Sequence, residues 1–336
     1  MKKWPDLFLP NGYLNMKDII HLPYTYIFVT GARQIGKTWG SIRTLLDDDT
    51  RFIYMRRTQT ELDACRSPEF SPFKNLGVEV KVKNLTKQVV GFYDAENETR
   101  LIAPGFALTT FHNVRGMSGS GYDAILYDEF IPEKVARPIK GEFDAWSNLY
   151  ETLNSNRELM GRPAMKFINL ANSNAAANPI FMELRLVTIM ERLKRDRMIF
   201  WADDNRDLLI VNVEGSPISE KKKKTALGRL TSGTDFARMA YDNEYAFDDF
   251  SNIESKSLKE YRPLVTVGEI TIYKHKSRSE YYITEHRAGS PKIYGSSERE
   301  IEAFSRSAGK LRDAYLSGYI YFESYLVKTL FIKYTN

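Results

Sequence analysis

Gly31-Ala32-Arg33-Gln34-Ile35-Gly36-Lys37-Thr38 fits the pattern GxxxxGK[ST]. It stands between an apolar run, Tyr26–Thr30, and helix-compatible sequence that begins at Thr38. Strand before and helix after is the setting a phosphate-binding loop requires. The glycines let the backbone close round an anion, and the helix start aims unpaired N–H groups at it. Lys37 offsets phosphate charge and Thr38 supplies a hydroxyl for magnesium. ATP and Mg2+ are therefore the expected cofactors, with Gly31, Ala32, Arg33, Gln34, Ile35, Gly36, Lys37 and Thr38 as the nucleotide-binding residues.

Three more runs rich in β-branched and aromatic residues, Arg51–Met55, Ala124–Tyr127 and Met165–Leu170, read as buried strands. Helix-compatible sequence alternates with them, so the expected class is α/β with a mostly parallel sheet. The run Ala124-Ile125-Leu126-Tyr127 ends in Asp128 and Glu129. Asp128 is expected to hold magnesium through water, and Glu129 to act as general base on the attacking water. Two solvated acids at a strand end would look the same in isolation; the phosphate loop upstream decides between the readings. An Asp-Glu pair at this place points to the additional-strand, catalytic-glutamate branch of P-loop NTPases. The run Met165–Leu170 leads into Ala171-Asn172-Ser173-Asn174, where Asn172 is the candidate amide for sensing the γ-phosphate or its coupled water.

Organisation changes along the chain. Residues 1–204 form the expected ATPase domain, closed by an amphipathic helix in the stretch 179–197. Polar and turn-forming residues dominate 205–245, which reads as a linker subdomain that includes Lys221, Lys222, Lys223 and Lys224. Residues 246–336 read as a small α+β domain: alternating stretches Leu264–Tyr273 and Glu280–Glu285 signal a hairpin, followed by helical sequence from Glu298 to about Tyr315 and an apolar stretch, Tyr319–Ile332.

Composition narrows the function class. Hydrophobic residues at 43% and charged residues at 27% describe a folded rather than a disordered chain. No apolar run reaches the roughly 18 residues of a membrane span, and the first residues lack a signal-peptide core, so a soluble intracellular protein with no membrane partner is expected. A single cysteine, Cys65, excludes a disulfide within the chain, and four scattered histidines give no zinc spacing. The net charge of +5 comes entirely from residues 1–240, with 34 basic against 29 acidic side chains, so an electrostatic track for nucleic acid is expected there. A protein that holds nucleic acid of any sequence grips phosphates, and Lys221–Lys224 are the most visible candidates; Lys81, Lys83 and Lys87 are weaker ones.

Taken together, G-A-R-x-I-G-K-T at 31–38, Y-x-R-R at 54–57, D-E-F-I at 128–131, N-R-E at 156–158, A-N-S with N-P-x-F at 171–181 and G-R-L-x-x-G-T at 228–234 resemble the DNA-encapsidation ATPases of small protein-primed podoviruses. That family is a divergent arm of the terminase and FtsK/HerA group. The resemblance implies an ATP-driven motor that moves double-stranded DNA into a procapsid through the portal protein, as a homopentameric ring in the host cytoplasm, docked transiently on the procapsid. It admits a structural packaging RNA among the partners. It points to Arg157 as an arginine finger acting on a neighbour's nucleotide and to Arg115 as a second trans-acting cation. The C-terminal part resembles an RNase H-type nuclease domain that lacks a convincing carboxylate triad, so a vestigial, non-cleaving domain is expected. Arg56 and Arg57 admit adenine-side, interfacial and structural roles. Competing functions are a cellular HerA/FtsK-like translocase and an NTP-dependent assembly switch; a built-in catalytic glutamate opposes the switch.

Overall fold

A strand that is apolar along its whole length has to be covered on both faces, which favours parallel strands sandwiched by helices. The computed structural model describes residues 3–114, 119–132, 139–172, 175–213, 215–241 and 249–335. It divides into two units, Met1–Ile180 with Arg192–Phe247, and Phe181–Glu191 with Asp248–Asn336.

Among the described residues, the first unit carries nine strands: β1 (Tyr26–Gly31), β2 (Phe52–Arg56), β3 (Val80–Asn84), β4 (Val90–Asp94), β5 (Leu101–Ala107), β6 (Ala124–Asp128), β7 (Lys166–Asn172), β8 (Phe200–Asp203) and β9 (Leu208–Val213). Their order is β3-β4-β5-β2-β6-β7-β1-β9-β8. The six strands from β5 to β9 in that order are parallel, and antiparallel pairs finish both sides. Strand β7 lies between β1, which leads into the phosphate loop, and β6, which ends in Asp128. This is the additional strand expected from the Asp-Glu pair.

Strand alternation gives the two faces separate cores. Ile27 and Val29 face a cluster that includes Phe52, Tyr54, Leu126, Ile168 and Leu170, with Ile42 and Leu45 from the helix Lys37–Asp47. Phe28 points the other way, into an aromatic stack: Trp146 lies over Phe167 at 5.0 Å between ring centres, and Tyr150 over Phe167 at 5.4 Å. Parallel register then delivers functional residues to one end of the sheet. Gly31 stands opposite Asn172, and Asp128 opposite Leu170.

The stretch 205–245, expected as a linker, opens with a strand of this sheet. All six residues of β9 are buried and pair with β1, and the turn residues on either side had hidden the run Leu208–Val213. Three short helices follow, Pro217–Lys223, Ala226–Leu230 and Asp235–Tyr241. The stretch 179–197 forms two helices rather than one, Pro179–Glu183 and Val187–Arg195, and its residues 181–191 group with the second unit.

The second unit carries β10 (Tyr261–Val267), β11 (Ile270–His275), β12 (Tyr281–Thr284), β13 (Lys292–Tyr294) and β14 (Ile320–Phe322), in the order β13-β10-β11-β12-β14. The stretch 264–273 is itself a hairpin. It turns at Gly268, whose φ of +50° suits glycine and whose missing Cβ leaves room for the Tyr334 hydroxyl. Glu269, in the same turn, pairs with Arg185. The last apolar stretch splits into β14 and the helix Tyr325–Thr335. Among the described residues no group of three or more His, Cys, Asp or Glu side chains gathers as a metal site.

Candidate nucleotide site

The loop between β1 and the helix Lys37–Asp47 is shaped by its two glycines. Gly36 caps the helix at φ +97°, a conformation costly for a residue with a Cβ. A Cβ on Gly31 would lie 2.8 Å from Ile35 Cδ1 and 3.2 Å from Val213 Cβ, so a larger residue there would have to displace buried side chains. Lys37 is folded back into the loop: its Nζ donates to the carbonyls of Gly31 (2.9 Å) and Ala32 (2.7 Å) and to Asn172 Oδ1 (3.2 Å). Burial pulls this ammonium down to about 7, against the opposing pull of Asp128 and Glu129. The loop thus holds a cation that an entering anion would stabilise.

Thr38 Oγ1 donates to Asp128 Oδ1 at 2.8 Å, which brings the hydroxyl of one element against the carboxylate of another. Asp128 is buried and also accepts from Tyr54 Oη (3.1 Å) and Arg56 Nη1 (3.3 Å). Burial pushes its carboxyl above the usual aspartate range, and the Arg56 charge opposes that push. Glu129 leaves the sheet. Its φ is +59°, because β6 ends at Asp128 and Phe130 returns to bond the Leu170 carbonyl at 3.0 Å. This detour turns the half-exposed Glu129 carboxylate outward, where Arg56 Nη2 holds it at 2.5 Å. Arg56 therefore spans both carboxylates. Burial opposes its charge, but Tyr54, Asp128 and Glu129 hold the guanidinium above its ordinary range. Arg57 plays a different part: it is buried against Glu142 through Nε–Oε1 (2.6 Å) and Nη2–Oε2 (2.9 Å), tying the end of β2 to the helix Glu142–Asn154.

Lys37, Thr38, Asp128, Glu129 and Asn172 line a cavity of about 1160 Å³ that also reaches Tyr13, Asp18, Trp39, Arg43 and Lys222. A hydroxyl beside a buried carboxylate supplies the hard oxygen donors that Mg2+ takes, and a buried lysine with two glycines supplies a triphosphate cradle. The residues present fit both groups. The sequence assigns Tyr54 no role and leaves Arg56 between adenine-side, interfacial and structural ones, although two residues apart on one strand they share a face, and the parallel β2–β6 register carries that face to Asp128.

Other expected residues fall elsewhere. The Arg157 guanidinium is turned into its own subunit and only 5% exposed: Nε donates to the Pro163 carbonyl (3.0 Å), Nη1 to the Tyr122 carbonyl, and Nη2 to Asp123 Oδ1 (2.7 Å). An arginine with all three nitrogens so engaged is a clamp at the start of β6. Arg115 lies outside the described residues. Of the lysine run, Lys221 and Lys224 are exposed, Lys223 pairs with Glu220 at 2.7 Å, and Lys222 faces the cavity. Lys81 and Lys83 share Glu98, at 2.5 and 2.9 Å.

With the site in view, relatives can be compared. The model of the family described as podovirus DNA encapsidation protein (Gp16) matches residues 10–293. The chain belongs to this family. The DNA packaging proteins of Bacillus phage phi29 and Bacillus phage PZA, 26% and 25% identical, each align over 321 residues, covering 90% of this chain and 91% of theirs. Among solved structures, the bacteriophage phi29 viral genome packaging motor assembly superposes with a TM-score of 0.69 at 22% identity, over 98% of this chain and 100% of that one. The phi28 gp11 DNA packaging motor superposes with a TM-score of 0.63 at 20% identity, over 96% and 97%. At these identities the likeness is one of fold. Membership of this family makes the chain an ATP-hydrolysing enzyme and implies the use of ATP with Mg2+.

Proposed function

We propose that this chain hydrolyses ATP to drive double-stranded viral DNA through the portal into a procapsid, as a pentameric ring docked on the portal in the host cytoplasm. The observation that carries the reading is the meeting of Lys37, Thr38, Asp128, Glu129 and Asn172 in one cavity of a Gp16-family chain.

Thr38 and Asp128 would hold the magnesium ion. Magnesium, when bound, offsets charge on the phosphate oxygens. Lys37 exchanges neutral carbonyl partners for phosphate oxygens, to which its charge-assisted bonds are stronger. Glu129 takes a proton from the water that attacks the γ-phosphorus while the bond to the β-phosphate oxygen breaks, giving ADP and phosphate. In the conformation described, Arg56 holds that carboxylate, so Glu129 acts once Arg56 yields it. Asn172, bonded to Lys37, is placed to register the change. With Arg157 clamped inside its own subunit, we assign the trans-acting charge to Arg115. The C-terminal unit is kept as a non-cleaving relative of nuclease domains.

DNA contact is assigned to the exposed Lys221 and Lys224. Neutralising both should make the logarithmic salt dependence of DNA binding shallower by roughly 2, whatever the sequence, because each phosphate contact releases about 0.9 counterion. An unchanged slope in a salt titration removes them from the track. ATPase activity measured with DNA, with and without procapsids, tests the function as a whole: packaging requires the portal, whereas a HerA/FtsK-like translocase runs on DNA alone.

A further inference from the structure

The four lysines at 221–224 do not share one role, because helical pitch separates them. Lys222 alone turns to the phosphate loop, where its Nζ donates to the Arg33 carbonyl at 2.9 Å. Two ammonium groups thereby take three successive carbonyls of one loop, Lys37 those of Gly31 and Ala32, Lys222 that of Arg33. Carbonyls leave so much positive charge unbalanced, and an anionic oxygen would add the attraction of opposite charges. Burial disfavours the Lys222 cation as well.

The backbone of Lys222 is gripped as firmly as its side chain. Its carbonyl accepts from Thr225 N (2.9 Å) and Thr225 Oγ1 (2.7 Å). Gly228 packs so closely that a Cβ there would lie 2.2 Å from the same oxygen. The first glycine of the G-R-L-x-x-G-T motif therefore fixes where Lys222 stands.

We infer that Lys222 is a ligand for the polyphosphate of the bound nucleoside triphosphate, supplied in cis by the helix Pro217–Lys223 and held in place by Gly228. The inference rests on the nucleotide-site reading above. It converts part of an apparent DNA-binding run into nucleotide-binding machinery, and it links phosphate occupancy to the helix Ala226–Leu230 through the shared carbonyl.

The test is calorimetric titration of the full-length protein with magnesium and either a non-hydrolysable ATP analogue or AMP. Lys222→Ala should weaken the triphosphate about tenfold to a hundredfold, the range of a lost hydrogen bond to a charged group, and leave AMP within about twofold. Lys222→Arg should recover most of the affinity, and Gly228→Ala, which displaces Lys222 without removing it, should reproduce part of the loss. Triphosphate affinity unchanged in Lys222→Ala, or reduced equally for AMP, overturns the inference. Lys37→Ala runs alongside: a loss there with none in Lys222→Ala rejects this inference alone, and normal binding by Lys37→Ala rejects the site reading with it.

Discussion

Glu129→Gln should bind ATP with near wild-type affinity and yet lose multiple turnover, by about a hundredfold to ten-thousandfold, the range a positioned general base contributes. Glutamine keeps the size of the side chain and gives up the site that accepts the proton. The fold should tolerate it. The carboxylate is half-exposed, and the introduced amide can still accept from Arg56 through its carbonyl oxygen, as Glu129 does at 2.5 Å. Phosphate release at saturating ATP, set beside titration of a non-hydrolysable analogue, separates the two effects. Turnover at the wild-type rate would remove Glu129 from the chemistry, and a loss of binding equal to the loss of turnover would make it a substrate ligand.

Arg157→Ala should act on stability rather than on a neighbour's nucleotide. The substitution strips the Tyr122 and Pro163 carbonyls of their donor and releases Asp123, which is half-exposed and contributes less. Losing the bonds to these two partly exposed acceptors costs about 1–3 kcal/mol together, measurable as a lower midpoint in urea. Arg157→Lys should restore only part, since one ammonium cannot reach three separately directed acceptors. Turnover per folded subunit should stay close to wild type, and mixing with Glu129→Gln subunits should give no more than the activity of the Arg157→Ala subunits present. Normal stability, combined with assembly-dependent loss of turnover that mixing repairs, would return Arg157 to the role of a finger.

The phosphate loop was legible because its chemistry is local: eight consecutive residues contain the glycines, the lysine and the hydroxyl. Asp128 and Glu129 were legible for the same reason, at the end of a run too apolar to be anything but a buried strand. The place of β7 between β1 and β6 followed from the acid pair. Other features depend on what lies opposite. Arg157 in N-R-E has the same chemistry whether it meets a neighbour's phosphate or the backbone carbonyls of its own chain, and residue types say nothing of carbonyls. Four lysines in a row look equivalent until a helix turns one toward the cavity. Leu208–Val213 is as apolar as the other core strands, but Asp203–Asn205 before it and Gly215–Pro217 after it made a linker the simpler reading.

The most direct test of the account mixes this chain with portal-bearing procapsids, double-stranded viral DNA and ATP, then adds nuclease and measures how much DNA survives. DNA should become nuclease-resistant with the wild-type chain and ATP, and stay sensitive with Glu129→Gln or with procapsids that lack the portal. Protection that persists without ATP hydrolysis, or ATP-driven movement along DNA that proceeds equally well without a portal, contradicts it.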